Sequence, residues 1–577
     1  MSNVLDIITV FTWQLVVVIA MFGIGAQFCA TTNAKCPIWV AVAVGLCTAL
    51  CIGGIGTLFG LFNLYTNIVL IVTGNVLALK NRALLQSLLI FKKYLIFIGL
   101  GLIIVTVTGM NIWDIGDDEM AYAPLVKSLL AEGTFSQTTS MRYGFGLGGQ
   151  TIFQGFSYIS GVWGAIGVPD AFFTFILMAL ALVENTKATT KSLRNLYIIS
   201  VPILALPLFS WNTAPTIIGA ILLIAILECS KGRHYFLTAV LITGLASLRT
   251  YWGAVGFTLF LVVQLSQYTK PRDLVGILQV SAYGAILSLP FCWQTYRAFG
   301  TPLTLLYTGN IIPSFINGAS LDKSNGLVTI FNYGFQQHIF ATICIAVGLA
   351  TNKYNKAFCF VCAAATIVVL LGTSGLTLAY TNKYTLALVS APIILFGIKN
   401  TNRTLPAIML CICSLTWIPI TLSTYGSALQ QFTKAKFSTK ESNITIFPYM
   451  NQLDIVIDSL PKNTVIANLT SFPKIGNYRS HKIRILDLPE AIKTIDISNE
   501  ASFLATLKNI GADYLVFLNP ELDIGYRGNR FQKLTEDTKA EAFSTWLKEE
   551  KRLTALINKL WANPKTYKQG IVGTIKL

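Results

Sequence analysis

The feature that most constrains this chain is a succession of long apolar runs, joined by short loops, from Met1 to about Leu422. A helix needs about 20 apolar residues to cross a bilayer's hydrocarbon core, or about 17 at the short end. Candidate spans fall near 8–29, 37–58, 61–79, 94–110, 171–186, 196–211, 215–229, 235–249, 251–267, 274–293, 336–350, 357–373, 384–398 and 404–422, several of them short. The expectation is a polytopic α-helical membrane protein with about 14 transmembrane helices. From about Ser423 onward, charged residues recur every few positions and no run is long enough to span. One hydrophobic core cannot serve both halves, so the tail is expected to be a separate water-soluble domain. Charged residues make up 12% of the chain, well below the roughly 25% of soluble domains.

The net charge is +17. Its basic residues are dispersed between apolar runs and form no stripe with interleaved aromatics, which argues against nucleic acid as a partner. They read instead as positive-inside loops attracted to lipid headgroups. All 11 cysteines lie in or beside apolar runs, so a disulfide-stapled ectodomain is excluded and no pair has metal-site spacing. The first apolar run lacks a basic flank before it and a clear small-residue cleavage site after it. It is expected to stay as a span.

Sidedness follows from the same basic residues. One set of loops carries Lys35; Lys80, Arg82, Lys92 and Lys93; Lys187, Lys191 and Arg194; Lys231 and Arg233; Lys270 and Arg272; Lys353 and Lys356; Lys399 and Arg403. These loops are expected in the cytoplasm. The alternate loops, including the long ones 111–170 and 294–335, are poor in Lys and Arg. Both termini and the soluble tail then lie outside. Counting the moderately apolar stretch 150–168 as a span would invert every later loop. It is read as an amphipathic helix in the outer interface, anchored by Phe153, Phe156, Tyr158 and Trp163. In the tail, TVIANL, KIRILDL and DYLVFLN read as buried strands, and ASFLATLKNIGA and AFSTWLKEEKRLTALINKLW as amphipathic helices. Their alternation points to a small α/β domain.

Chemistry concentrates in the first long loop, NIWDIGDDEMAYAPLVKSLLAEGTFS. Asp114, Asp117, Asp118 and Glu119 follow the end of a span, where acids are costly unless solvated, paired or used. Such a cluster supplies a general base or oxygen ligands for a hard cation. A solvated helix cap needs one acid, and three in succession repel one another. Tyr122, Val126, Leu129 and Leu130 then mark a helical apolar face.

At these residues the chain resembles the GT-C superfamily, integral-membrane glycosyltransferases that take a sugar from a polyprenyl-phosphate carrier, such as protein O-mannosyltransferases and the aminoarabinose transferase of lipid A. Asp118-Glu119-x-x-Tyr122-Ala123 is similar to the first outer loop of that family. IGVPDAFF resembles the element that follows it. CWQTYRAFGTPLTLLYTGN, with Tyr296, Gly300 and Pro302, resembles a segment found after a later span. AYTNKYTLALVSAPII, with Lys383 and Tyr384, resembles another. Lys383 stands where the family often has Arg, which keeps a cation and loses the bidentate fork. The resemblance covers about 94–577. It implies extra N-terminal transmembrane helices over 1–93, a GT-C-like catalytic region over 94–422, and an extracytoplasmic α/β domain over 423–577.

The implied reaction moves a sugar from a polyprenyl-phosphate-linked donor to a glycan, lipid or protein acceptor on the outer face. Asp118 is the first choice of base, then Glu119, then Asp117. Arg249, Lys383 and Arg297 are candidates for the leaving phosphate. Tyr122, Trp211, Asn212 and Tyr384 are candidates for the cavity wall. Arg297 and Lys383 read equally well as interfacial anchors, and Trp211 as part of an aromatic belt. Asp322 reads as a solvated loop residue, and His338 as a partner for a neighbouring helix in preference to a metal ligand or proton shuttle. The acids permit a divalent cation such as Mg2+ or Mn2+ without requiring it. The expected location is a bacterial inner membrane. The sequons at Asn443 and Asn468 are too common a pattern to decide otherwise. A transporter or flippase for lipid-linked glycans would predict internal repeats and broken mid-span helices, and no repeat is present. An O-antigen ligase or polymerase would use Arg and His in a large outer loop, and both are scarce there. A non-catalytic assembly or sensor protein would leave 117–119 dispensable.

Overall fold

The computed structural model describes residues 2–81, 94–110, 122–135, 147–185, 213–268, 274–302, 353–372, 450–469, 481–486, 495–520 and 541–577, with isolated positions between 387 and 398. The helical part contains α1 (Ser2–Thr31), α2 (Ile38–Leu58), α3 (Leu64–Lys80), α4 (Leu95–Met110), α5 (Ala123–Glu132), α6 (Gly149–Tyr158), α7 (Pro169–Asn185), α8 (Ile218–Lys231), α9 (Tyr235–Leu248), α10 (Thr250–Ser266), α11 (Val275–Phe299) and α12 (Lys353–Gly372). Three helices among the described residues are long and apolar enough to cross a membrane: Val4–Thr31, Ile38–Leu58 and Val275–Arg297. The other apolar helices over expected spans are shorter, such as α8 and α9 at 14 residues each. The expected spans 196–211, 336–350 and 404–422 lie outside the described residues. The span 384–398 is described only in part, with Leu388, Ala391, Leu395 and Ile398 buried on helical turns.

Glycines set the packing of the first three helices. A Cβ on Gly25 would overlap the carbonyl of Ala41, and one on Gly45 the carbonyl of Met21. Gly23 and Gly74 bring α1 and α3 together in the same way. With no side chain between them, the backbones approach closely, as at small-residue contacts between membrane helices. Apolar and buried on almost every side, α2 packs in turn against α6, α7, α9 and α11. The N-terminal helices are thus built into one packed body with the later ones.

The stretch around 150–168 departs from its expected role. It forms α6 and a 3-10 turn at Trp163–Gly167. At ten residues, α6 reaches only about 15 Å, so it is no span. Yet Gly149 to Ser157 are all buried. Phe153 meets Phe173 edge-to-face, Phe156 meets Phe62, and Trp13 Nε1 donates to the Phe156 carbonyl at 2.7 Å. The aromatics expected as lipid anchors at 153 and 156 therefore face protein. Their periodicity marks an apolar face without saying whether lipid or a helix covers it.

The C-terminal region is the small α/β domain expected. It contains α13 (Met450–Ser459), β1 (Val465–Asn468), β2 (Lys482–Ile485), α14 (Glu500–Asn509), β3 (Tyr514–Leu518), α15 (Glu541–Ala562), β4 (Tyr567–Gln569) and β5 (Val572–Lys576). The strand order is β2-β1-β3-β5-β4, parallel across the first three strands and antiparallel beyond. Asn499 caps α14 through the Ser502 N–H at 2.9 Å. The Asp513 carboxylate takes the Val465 N–H at 2.8 Å, which ties β1 to the start of β3. The hairpin β4–β5 turns at Gly570, whose φ of +59° suits glycine.

The sheet's two faces are covered differently. On one, Ala467, Leu515, Phe517 and Ile575 pack against Phe503 and Leu507 of α14 and Leu553, Leu556, Ile557 and Leu560 of α15. On the other, Ile466, Ile483, Val516, Leu518 and Val572 pack against Leu453, Val456 and Ile457 of α13. That same cluster takes in Ala123, Val126 and Leu130 of α5 and Ile166, which belong to the helical body.

Candidate functional site

Among the expected site residues, Tyr122, Arg249 and Arg297 fall within the described structure. Asp117, Asp118, Glu119, Trp211, Asn212, Lys383 and Tyr384 lie outside the described residues, as do Asp322 and His338. Tyr122 is buried immediately before α5. Pro124 lies in the first turn, where the fixed φ favours helix initiation. In sequence, Asp117–Glu119 precede this helix, with Met120, Ala121 and Tyr122 between.

Arg249 occupies the break between α9 and α10, its backbone extended at φ −150° and ψ 119° while its neighbours are helical. Its side chain is only 5% exposed, and Nε donates to the Pro215 carbonyl at 3.3 Å. In the same short segment, Asp170 accepts from the N–H groups of Thr216 at 2.7 Å and Ile218 at 2.8 Å, and from the Thr216 hydroxyl at 3.0 Å. A carboxylate at a helix N-terminus satisfies donors that no helical partner reaches. Asp170 and Arg249 thus both hold the entrance to α8.

Helix α6 adjoins this place. A Cβ on Gly149 would lie 2.5 Å from Ser247 Cβ, so the start of α6 is pressed against the last turn of α9. Gln154 Nε2 donates to the Thr213 carbonyl at 2.8 Å and to its hydroxyl at 2.9 Å. Gln150 Nε2, Gln154 Oε1, Ser157 Oγ and Trp252 Nε1 are buried with no partner among the described residues. Buried polar atoms are normally bonded, so this end of the body is polar inside an otherwise apolar packing. The far end of α6 meets α5, where the Lys127 ammonium lies 5.4 Å from the centre of the Tyr158 ring. One short helix therefore links the Arg249 break to the helix that follows the acidic segment.

Arg297 is different in kind. It is exposed in the last turn of α11, beside Trp293 and Tyr296, whose exposed rings stack at 5.9 Å. A cation next to exposed aromatics is the pattern of an interfacial anchor. Asp170 lies within IGVPDAFF, whose sequence alone assigns it no role. A Pro-Asp pair opening a helix was the available signal. Gln150 and Gln154 gave no signal, since a buried amide reads like any polar residue of an amphipathic helix.

The cysteines also gain a relation that spacing did not show. Cys36, in the turn between α1 and α2, lies close enough to Cys29 and Cys229 for the three thiols to interact. Among the described residues, no group of three or more His, Cys, Asp or Glu is arranged to hold a metal ion. The acidic segment lies outside those residues.

No protein-family model matches the chain, and no curated protein matches it. Among solved structures, it is similar to the crystal structure of the Archaeoglobus fulgidus oligosaccharyltransferase tethered with an acceptor peptide containing the NVT sequon via a disulfide bond. The identity is 12%, the match covers 72% of this chain and 58% of that one, and the TM-score is 0.22. The chain thus spans under two thirds of that protein, and a likeness this low carries no argument about fold or chemistry.

Proposed function

We propose that this chain is a GT-C-like integral-membrane glycosyltransferase that moves a sugar from a polyprenyl-phosphate donor to an acceptor hydroxyl on the outer face of a bacterial inner membrane. What supports the reading is that the run Asp117-Asp118-Glu119 precedes, in sequence, the buried helix α5, which α6 links to the buried Arg249. In the proposed step, Asp118, with Glu119 and Asp117 as alternatives, takes the proton from the acceptor hydroxyl. The hydroxyl oxygen attacks the anomeric carbon, and the bond from that carbon to the phosphate oxygen breaks. The lipid phosphate leaves with the electron pair and is stabilised by a cation. Arg249 is the first candidate, Lys383 the second, and Arg297 the weakest, because its exposed aromatic neighbours account for it as an anchor. Tyr122, Trp211, Asn212 and Tyr384 are proposed for the cavity, and Mg2+ or Mn2+ remains compatible with the acids. The acceptor class is a glycan, lipid or protein.

Asp118→Asn and Glu119→Gln are expected to abolish glycan transfer while the protein stays at normal abundance in the membrane. The check is mass spectrometry of envelope glycans and lipids from cells carrying each variant, the parent chain or none. Full activity in both variants refutes the carboxylate assignment.

A further inference from the structure

Helix α5 is held from two directions. Toward the body, it ends at Gly133, whose φ is +73° and whose Cβ would overlap the Gly60 carbonyl. The Phe62 N–H donates to the Gly133 carbonyl at 3.2 Å. Toward the C-terminal domain, Ala123, Val126 and Leu130 recur at helical spacing on one stripe. That stripe enters the cluster formed by α13 and the sheet. At the helix's last residue, Glu132 receives the Arg484 guanidinium from β2 in a fork, Nη1 to Oε1 and Nη2 to Oε2, the latter at 2.8 Å. The two side chains are 4% and 9% exposed. Ser128 Oγ, one turn earlier, also donates to Oε1 at 3.2 Å and lines the carboxylate up along the helix.

A two-pronged guanidinium–carboxylate pair fixes distance and rotation together. Removing one member of a buried pair leaves an uncompensated charge, so the geometry is held strictly. The apolar stripe alone would tolerate sliding along the sheet, whereas the fork at its end fixes the position. The C-terminal domain thus contributes both a wall and a latch to the helix that follows the acidic segment.

We infer that the C-terminal domain is a positioning element for α5, with Arg484 a positioning residue acting through Glu132 on the proposed carboxylates that precede this helix. The inference rests on the glycosyltransferase reading for its catalytic consequence. Its structural consequence can be read separately.

The experiment uses the full-length protein in its membrane with Arg484→Glu, Glu132→Arg, Arg484→Lys, the milder Glu132→Gln, and the double swap Arg484→Glu/Glu132→Arg. Amide hydrogen exchange of 123–132 and envelope-glycan mass spectrometry are measured side by side. Each charge-reversed single variant is expected to speed exchange by about tenfold or more and to lower product by a similar factor at equal abundance. The double swap is expected to restore both to within about threefold. Arg484→Lys, which keeps the charge without the fork, and Glu132→Gln should fall between. If a single reversal fails to accumulate, Glu132→Gln against the parent supplies the reading. Unchanged exchange in the single variants, or a swap that rescues neither readout, overturns the inference. Altered exchange with normal product also overturns it, provided Asp118→Asn abolishes product. If Asp118→Asn leaves product intact, the glycosyltransferase reading fails, and the exchange data alone decide whether the domain positions α5.

Discussion

In the helical body, backbones meet directly. Gly25 and Gly45 leave no room for even a methyl between α1 and α2, and α2 is apolar around its whole circumference. The C-terminal domain is joined by side chains instead. Its strands alternate, sending Leu515 and Phe517 to one face and Val516 and Leu518 to the other. A helix in lipid gains little by hiding apolar surface from lipid, so association depends on close fit. A sheet in water gains from every apolar side chain it covers, so association depends on area. The boundary between the two regions uses both: α5 meets the body backbone to backbone where Gly133 presses on Gly60, and the sheet through its apolar stripe.

The largest expected effect tests the sheet's self-contained face. Phe517 is fully buried and meets Trp561 edge-to-face at 6.2 Å. Phe517→Ala should lower the domain's stability by about 3–5 kcal/mol, read as faster amide exchange over 514–518 across a urea series. A loss below about 1 kcal/mol would mean that this face does not hold the domain together. Next comes close fit in the body. Gly45→Ala should force α1 and α2 apart at about 1–3 kcal/mol, lowering the thermal midpoint in detergent while exchange over 514–518 stays unchanged. Gly99→Ala is the control, because a Cβ there meets nothing within 4 Å. Equal effects at the two glycines would break the comparison.

The smallest effect concerns His481, which precedes β2 and shares a hydrogen bond of 3.2 Å with the Thr464 hydroxyl. Burial lowers its pKa, and the Asp458 carboxylate on α13 partly offsets this. Below the unfolded value of about 6.5 the unfolded chain binds a proton that the folded domain resists, so stability falls as pH drops through that point. His481→Gln should remove this slope, which cannot exceed about 1.4 kcal/mol per pH unit. Urea midpoints of the domain at neutral and mildly acidic pH provide the check. An identical slope in the variant would place the pH response elsewhere.

Much of the fold was legible because hydrophobic periodicity reports directly on local structure. In the helical body the described helices other than α5 and α6 overlie expected spans, and β1, β2, β3, α14 and α15 lie where strand and helix patterns put them. The hairpin at 567–576 is not legible in TYKQGIVGTIK, which mixes charge with short alternation, and only pairing with β3 makes it a strand pair. The candidate site was legible in part. Arg249 could be singled out because a cation between apolar runs is expensive anywhere. Asp170, Gln154 and the Cys29–Cys36–Cys229 group could not, since each acquires a partner from a segment distant in sequence.

The sequence by itself determined the division into an apolar helical body and a charged α/β tail, because composition and period act over a few turns of chain. It also singled out the acidic run at 117–119. Only the tertiary structure decided what covers each apolar face. That α6 is wrapped by protein, and that α5 closes one face of the C-terminal sheet, follows from which surfaces fit and which charges find partners. The Arg484–Glu132 fork joins residues 352 positions apart, a distance over which no local pattern carries information.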